Sequence, residues 1–414
     1  MSLIVQKFGG TSVGTVERIQ AVAHRVIQTR NAGHDVVVVV SAMGKSTDVL
    51  VDMAKQITAE PPAREMDMLL TTGEQVSIAL LSMALQAEGQ SAVSMTGWQA
   101  GITTEDVHTK ARIVQIDPAT MQDALAAGNV VIVAGFQGIT EDGQITTLGR
   151  GGSDTTAVAL AGALKADLCE IYTDVDGVYT ADPRIVSSAR KLTTISHDEM
   201  LELATLGAGV LHPRAVECAK QHGVPLVVRS SFGYEEGTRV QEEVDMEQGL
   251  IISGIAHDKN VAKITVADMP MQVDTMSKLF TTLADEHINV DVIIQSSYEA
   301  DTTNVSFSVS GDEVKRTLQI LLREKEHLHF GYAVAEEELA KVSIVGAGMI
   351  TNPGVAAQMF RCLADAGIEI KMVSTSEIKV SCVVPLEQME NAVRSLHTSF
   401  GLDVVERAVV HSAQ

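Results

Sequence analysis

The chain alternates short, unbroken apolar runs with longer stretches in which apolar residues return every three or four positions. Leu3–Val5, Val36–Val40, Val130–Ala134 and Leu168–Tyr172 have strand length, and their continuous apolar character predicts strands buried on both faces. Between the first two, Val16–Gln28 sets Ile19, Val22, Ala23, Val26 and Ile27 along one side, as an amphipathic helix does. Further on, Ser196-His197-Asp198-Glu199 has the form of a capping box opening a helix that carries Met200, Leu203 and Ala204. Strands separated by helices favour a mainly parallel sheet covered on both sides. Residues 1–232 are therefore expected to form one α/β domain of three αβα layers.

The pattern then changes. Residues 233–249 hold Glu235, Glu236, Glu242, Glu243, Asp245 and Glu247 with little apolar periodicity, which marks an acidic linker. An internal repeat follows. Ala262-Lys263-Ile264-Thr265-Val266 returns as Ala340-Lys341-Val342-Ser343-Ile344, and Leu283-Ala284-Asp285 as Leu363-Ala364-Asp365. Val305-Ser306-Phe307-Ser308-Val309 is echoed by Val380-Ser381-Cys382-Val383-Val384. Each copy reads as a β-α-β-β-α-β unit, so two ferredoxin-like domains are expected over 250–334 and 335–414, each an antiparallel sheet backed by helices on one face.

Composition narrows the classes of partner. Acidic residues number 53 against 31 basic, a net charge of −22, which repels nucleic acid and anionic lipid. A polyphosphate ligand must then be held by a local cluster of donors. Cys169, Cys218, Cys362 and Cys382 are widely spaced and read as thiols in a reducing compartment. The N-terminus runs straight into a strand without a signal-peptide pattern, and the apolar runs are far shorter than a membrane span. A soluble, cytoplasmic chain is expected.

Three glycine-rich loops carry the candidate chemistry. Lys7-Phe8-Gly9-Gly10-Thr11-Ser12 lets backbone N–H groups approach an anion, with a lysine at the entrance. Ser41-Ala42-Met43-Gly44-Lys45-Ser46-Thr47 ends like a P-loop, but Val39 stands where that motif needs glycine. Gly149-Arg150-Gly151-Gly152-Ser153-Asp154 precedes an Ala-rich helix whose N-terminal amides favour an anion. All three are expected to follow strands of one sheet, where ligands of open α/β folds bind. Such loops also serve as plain tight turns, but three together, each beside a lysine or arginine, point to a phosphate-handling crevice. The acids of Thr173–Arg184 do not have the spacing of a calcium loop, and the histidines lack a zinc-ligand pattern.

With Thr72-Gly73-Glu74, Thr173-Asp174-Val175, Asp182-Pro183-Arg184 and Leu211-His212-Pro213, these loops closely resemble the aspartate kinases of the amino-acid-kinase family. The repeat, including Val373-Ser374-Thr375-Ser376-Glu377-Ile378, resembles a tandem pair of ACT domains. The likeness runs over the whole chain and is strongest to the lysine-sensitive enzymes of Bacillus. It implies transfer of the ATP γ-phosphoryl group to the β-carboxylate of L-aspartate, giving 4-phospho-L-aspartate, the first step towards lysine, threonine and methionine. Two other readings stay open at this point, a sister kinase of the same fold and a non-catalytic ACT amino-acid sensor.

The resemblance also implies site roles. Lys7 and Asp154 would be catalytic, with Lys7, Phe8, Gly9, Gly10, Ser41, Thr173, Asp174, Tyr179, Asp182 and Arg184 on the ATP and Thr47, Glu74, Arg150, Gly151, Gly152 and Ser153 on the aspartate. Arg150 would take the α-carboxylate and Glu74 the α-ammonium. Mg²⁺ would arrive with ATP, on phosphate oxygens and water rather than in a protein cage. Gln295, Asn352, Pro353, Gly354, Val355, Ser374, Thr375, Ser376 and Glu377 would receive an effector, with L-lysine as inhibitor. Asn352 is expected to cap a helix that begins at Pro353, and Asp274 to cap its counterpart in the first copy. A homo-oligomer joined through the ACT domains is implied, and Met246 could start a separate small subunit.

Overall fold

The structure is a computed structural model that describes residues 2–242, 251–299 and 302–403. Residues 243–249 of the acidic linker, Met246 among them, lie outside the described residues. Two compact units form: Met1–Val178, Lys191–Thr205 and Gly209–Met246 make the first, and Tyr179–Arg190, Leu206–Ala208 and Glu247–Gln414 the second.

The first unit is built on an eight-stranded sheet. Its order is Thr194–Ser196, Thr238–Gln241, Leu226–Ser230, Leu168–Thr173, Leu3–Phe8, Asp35–Val40, Val130–Ala134 and Ala92–Met95. Pairings are parallel except between Leu226–Ser230 and Thr238–Gln241. The four strands read from the apolar runs all lie here, and Val36–Val40 and Val130–Ala134 are buried at every position. Helix Val16–Asn31 starts where the Thr15 side chain accepts from the Arg18 N–H, and it buries Ile19, Val22, Ala23 and Val26 as expected. The capping box forms, with Ser196 Oγ accepting from Glu199 N–H and the Glu199 carboxylate accepting from Ser196 N–H. Helix Ala63–Ala87 is long and apolar enough to cross a membrane, yet its Ile78, Leu81 and Leu85 pack into the core beside the sheet.

The third glycine loop departs from the expected placement. Residues 149–152 do not follow a strand of the main sheet. They follow Ile145–Thr147, the edge of a separate four-stranded sheet completed by Gln137–Ile139, Ile102–Thr104 and Ile113–Ile116. These strands have three or four residues each, too short to stand out as apolar runs.

In the second unit the two copies of the repeat do not build a sheet each. They share one six-stranded sheet, in the order Ile293–Glu299, Thr302–Ser310, Gly254–Pro270, Tyr332–Val345, Lys379–Pro385 and Met372–Thr375. The two central strands are long, 17 and 14 residues, and pair antiparallel from Gly254 opposite Val345 to Ala267 opposite Tyr332. Strand Gly254–Pro270 thereby serves two cores. Ile264 and Val266 pack with Leu279, Leu283 and Phe307, while Ile255 packs with Ile344, Met359, Leu363 and Leu396. Periodicity within each copy could not reveal this exchange, because either partner satisfies the same alternation.

The second core also takes in residues from far upstream. Ala181, Ile185 and Val186 are buried within it, the Thr180 carbonyl accepts from Ile255 N–H at 2.8 Å, and Arg394 Nε donates to the Ile185 carbonyl at 2.9 Å. The Thr180 hydroxyl and His397 Nε2 form a buried hydrogen bond of 2.9 Å. Residues 179–190, which the linear reading placed in the first domain, are structurally part of the second unit. Ile185→Ala should therefore lower the stability of the second unit by about 2 kcal/mol or more. Urea unfolding of the full chain, followed by hydrogen exchange in Val355–Asp365, is the measurement; unchanged protection there would contradict the placement.

Candidate active site

Parallel strands Leu3–Phe8 and Asp35–Val40 deliver their following loops side by side. Contact between the loops needs glycine. A Cβ on Gly10 would lie 2.8 Å from the Ala42 carbonyl oxygen, and the Gly44 N–H donates to the Gly10 carbonyl at 2.9 Å. Gly73 in helix Ala63–Ala87 likewise lets that helix approach, since a Cβ there would sit 2.8 Å from Ala42 Cβ. Phe8 stacks on Tyr172 with ring centroids 4.6 Å apart, and Ser12 Oγ meets Ser231 Oγ at 2.5 Å. The Gly9 N–H is already donated to the Tyr172 carbonyl at 3.3 Å. The amides of Gly10 and Thr11 carry no hydrogen bond among the described residues and are free for an anion.

Lys7 is buried near the end of its strand, with Nζ 2.6 Å from Asp154 Oδ1. Asp154 stands in the first turn of helix Gly152–Leu164, where the helix dipole favours a carboxylate. The pair joins the first glycine loop to the third. Gly151 begins that helix in the left-handed region at φ 68°, and its missing side chain makes room for the His212 ring. Arg150 beside it is exposed, and its guanidinium has no hydrogen bond or ion pair among the described residues. Ser153 is buried under Gly135 in the same turn.

Glu74 completes the arrangement. It is 3% exposed, and Oε1 accepts from the Ala42 N–H at 3.1 Å while the buried Oε2 has no partner. Burial pushes its pKa up to about 7 against an ordinary 4.5, opposed by hydrogen bonds from backbone N–H groups. A buried carboxylate oxygen without a donor is an open position for a cation. Ser41 and Thr47 are half-buried on the loop and helix beside it.

The structure therefore brings together Lys7, Phe8, Gly9, Gly10, Ser41, Thr47, Glu74, Gly151, Gly152, Ser153 and Asp154 around three loops of the first unit. Thr173 and Asp174 leave the neighbouring strand Leu168–Thr173, bonded to each other at 3.1 Å. Tyr179, Asp182 and Arg184 belong instead to the second unit. There Arg184 grips the Asp182 carboxylate through Nε and Nη2, and that hydrogen bonding holds the Asp182 pKa below its ordinary value.

The candidate effector residues are dispersed. Asn352 does not cap a helix; its side-chain amide donates to the Gly348 carbonyl, and helix Val355–Asp365 starts after Gly354 at φ 102°. Pro353 accordingly lies before the helix. Asp274 occupies the N-cap position of Thr275–Asp285 but pairs with Lys278 at 2.7 Å and makes no side-chain cap bond. Ser374 and Thr375 lie on one edge strand of the six-stranded sheet, with Ser376 and Glu377 in the turn beyond, while Gln295 lies on the opposite edge.

Sequence reasoning missed Asp67, His108 and Arg214, which surround the third loop from behind. The available signal was spacing: Asp67 precedes Glu74 by seven residues, two helical turns, so both carboxylates point from one face of an apolar helix.

This arrangement, lysine and acid across a glycine-lined crevice on an αβα sheet, is that of a kinase acting on a small anionic substrate. Profiles of the amino acid kinase family match residues 2–230, and ACT-domain profiles match 264–324 and 342–400. A curated aspartokinase of Bacillus sp. (strain MGA3) is 62% identical over 97% of this chain and 98% of its own. The E. coli aspartokinase III structure in complex with aspartate and ADP has a TM-score of 0.80 at 27% identity, covering 96% of this chain and 99% of that one. The same E. coli protein in complex with lysine and aspartate, in its T-state, has a TM-score of 0.75 at 28% identity, covering 96% of this chain and 99% of that one. The chain belongs to the aspartokinase family, a kinase domain of the amino-acid-kinase type followed by ACT domains.

Glu74 makes the free protein's stability depend on pH. An unfolded glutamate loses its proton near 4.5, whereas folded Glu74 holds it to about 7. The folded state thus binds more protons in this window, and stability falls as pH rises through it, by roughly 3 kcal/mol in full above about pH 7. Glu74→Gln should remove the decline, stabilising the substrate-free protein at pH 8 and leaving it unchanged at pH 4. Urea denaturation at the two values checks this.

Proposed function

We propose that the chain transfers the γ-phosphoryl group of ATP to the β-carboxylate of L-aspartate, giving 4-phospho-L-aspartate. The observation that carries the reading is the Lys7–Asp154 pair at 2.6 Å, which aims a buried cation between the first and third glycine loops. Asp154 holds the ammonium in place, and Lys7 is positioned to absorb charge as the γ-phosphoryl group moves. The Gly10 and Thr11 amides support the phosphates. The attacking carboxylate needs no general base, because a free aspartate side chain ionises near about pH 3.9. Catalysis then consists of holding two anions together in line.

On the acceptor side, Glu74 Oε2 takes the α-ammonium and Arg150 the α-carboxylate, with Thr47 and Ser153 beside them. The guanidinium fork suits a bidentate grip on a carboxylate. Magnesium would come with the nucleotide, on phosphate oxygens and water. The aspartokinase relatives favour this reading over a sister kinase or a silent sensor.

Regulation by lysine extends the reading. Helix Val355–Asp365 opens at Gly354, and Ser374–Thr375 lies on one outer strand while Gln295 lies on the other. Among the described residues neither outer strand pairs on its outward edge, so a second chain could bring these positions together. The reading includes a homo-oligomer, proposed to act in the cytoplasm, and initiation at Met246 would add a small subunit.

Aspartate-dependent ADP release tests the chemistry. Lys7→Ala and Asp154→Ala should each lower kcat by about a hundredfold or more with far-UV circular dichroism unchanged; near-parental turnover in either removes that residue from the mechanism. Saturating lysine should inhibit the parent. Gly354→Val, which forces a β-branched residue to φ 102°, should raise the half-inhibitory lysine concentration by about tenfold. Inhibition by threonine alone would overturn the choice of effector.

A further inference from the structure

The Arg150 guanidinium has no hydrogen bond or ion pair among the described residues, so what places it acts through the backbone on either side. Each residue leading into Arg150 is fastened. Thr147 Oγ1 donates to Asp67 Oδ1 at 2.5 Å, and the Thr147 carbonyl accepts from Ala111 N–H at 2.9 Å. The Leu148 carbonyl accepts from Arg214 Nη1 at 2.6 Å, and Leu148 N–H donates to the Phe136 carbonyl. Gly149 lies in the left-handed region at φ 75°, against the Thr109 carbonyl, where a Cβ would come within 3.0 Å.

The segment on which Gly149 rests is held by the same two side chains. Asp67, fully buried, accepts from the Thr109 N–H at 3.1 Å on Oδ1 and 3.0 Å on Oδ2, and Oδ2 meets His108 Nδ1 at 2.7 Å. Thr109 is itself left-handed at φ 67°, a conformation a threonine keeps only when its surroundings impose it. Arg214 Nη2 donates to the Ala111 carbonyl at 3.1 Å, joining the segment to Leu148 through one guanidinium. On the far side, Gly151 packs against the ring of His212, two residues before Arg214.

We propose that Asp67 and Arg214 are positioning residues that set the distance between the two grips on the acceptor amino acid, Glu74 for the ammonium and Arg150 for the α-carboxylate. The inference rests on the roles given to those two residues above. Its physical basis is that Asp67 and Glu74 ride on one helix, seven residues and therefore about 10 Å apart along a stiff axis. Glu74 is fixed to that axis directly. Arg150 is fixed to it through Thr147 and Thr109, both bonded to Asp67. Releasing Asp67 or Arg214 leaves the nucleotide side, Lys7 and the Gly10 loop, in place and lets only the Arg150 loop drift.

The test is steady-state kinetics on the full chain with Arg150→Ala, Asp67→Ala, Asp67→Asn, Thr147→Val and Arg214→Met, each with its thermal unfolding midpoint. The expected result is a KM for aspartate raised by about tenfold or more in Asp67→Ala and Arg214→Met, with the KM for ATP and kcat at saturating aspartate within about threefold of the parent. Asp67→Asn, which keeps an acceptor for Thr109 and Thr147, should recover most of the loss. An unchanged KM for aspartate, or kcat and both KM values altered together, overturns the proposal. Should Asp67→Ala not fold, Thr147→Val decides alone: it removes one hydroxyl, and an aspartate KM equal to the parent's refutes the tether. Arg150→Ala separates the two layers. If it leaves the aspartate KM unchanged, the assignment of Arg150 fails; if it raises KM while the Asp67, Thr147 and Arg214 variants do not, only the positioning role fails.

Discussion

Because Leu3–Phe8 and Asp35–Val40 are adjacent and parallel, the loops that follow them leave the sheet at the same end and must pass within van der Waals contact. Gly10 makes that approach possible, and Gly73 lets helix Ala63–Ala87 close on the second loop, each lying where a side-chain carbon would overlap Ala42. The site is assembled on this close passage. It brings the Ala42 N–H onto Glu74, leaves Lys7 facing Asp154 across the crevice, and frees the Gly10 and Thr11 amides. A larger residue at Gly10 would separate the two loops, and one at Gly73 would push helix Ala63–Ala87, which carries Glu74, away from the second.

Electrostatics in the crevice run against those of the molecule. A net charge of −22 opposes a nucleotide at long range, but screening shortens that field to about 8–10 Å in physiological salt. Inside that distance, local donors decide. Lys7 is kept where it is by one acid, and Glu74 carries a desolvated carboxylate oxygen that has no donor among the described residues. Burial of that carboxyl costs the folded protein stability once pH rises through the raised pKa of Glu74.

The second unit is built differently. Duplication would have produced two separate four-stranded sheets had each copy closed on itself. Instead the strands Gly254–Pro270 and Tyr332–Val345 run through both halves, so one sheet carries two cores. Residues 179–190 are part of the second core, held by the Thr180–His397 and Arg394–Ile185 hydrogen bonds. The chain therefore commits to this unit long before it reaches the repeat itself.

Much of this was legible in the amino acids. Unbroken apolar runs identified the central parallel strands, since a strand buried on both faces has no polar alternation to hide it. The repeat revealed two related halves, and the glycine loops with Lys7 and Asp154 pointed to the place where the structure brings two of them together, because close backbone approach demands glycine and a buried cation demands an acid. Three things waited for the tertiary structure. The short strands Ile102–Thr104 and Ile145–Thr147 are stabilised by pairing rather than by their own pattern, so the platform behind Arg150 left no periodicity. Asp67 and Arg214 draw their meaning from backbone groups 42 to 103 positions away, which spacing alone does not bring together. The shared sheet depends on which of two equivalent partners a strand selects, and alternation along one strand is blind to that choice.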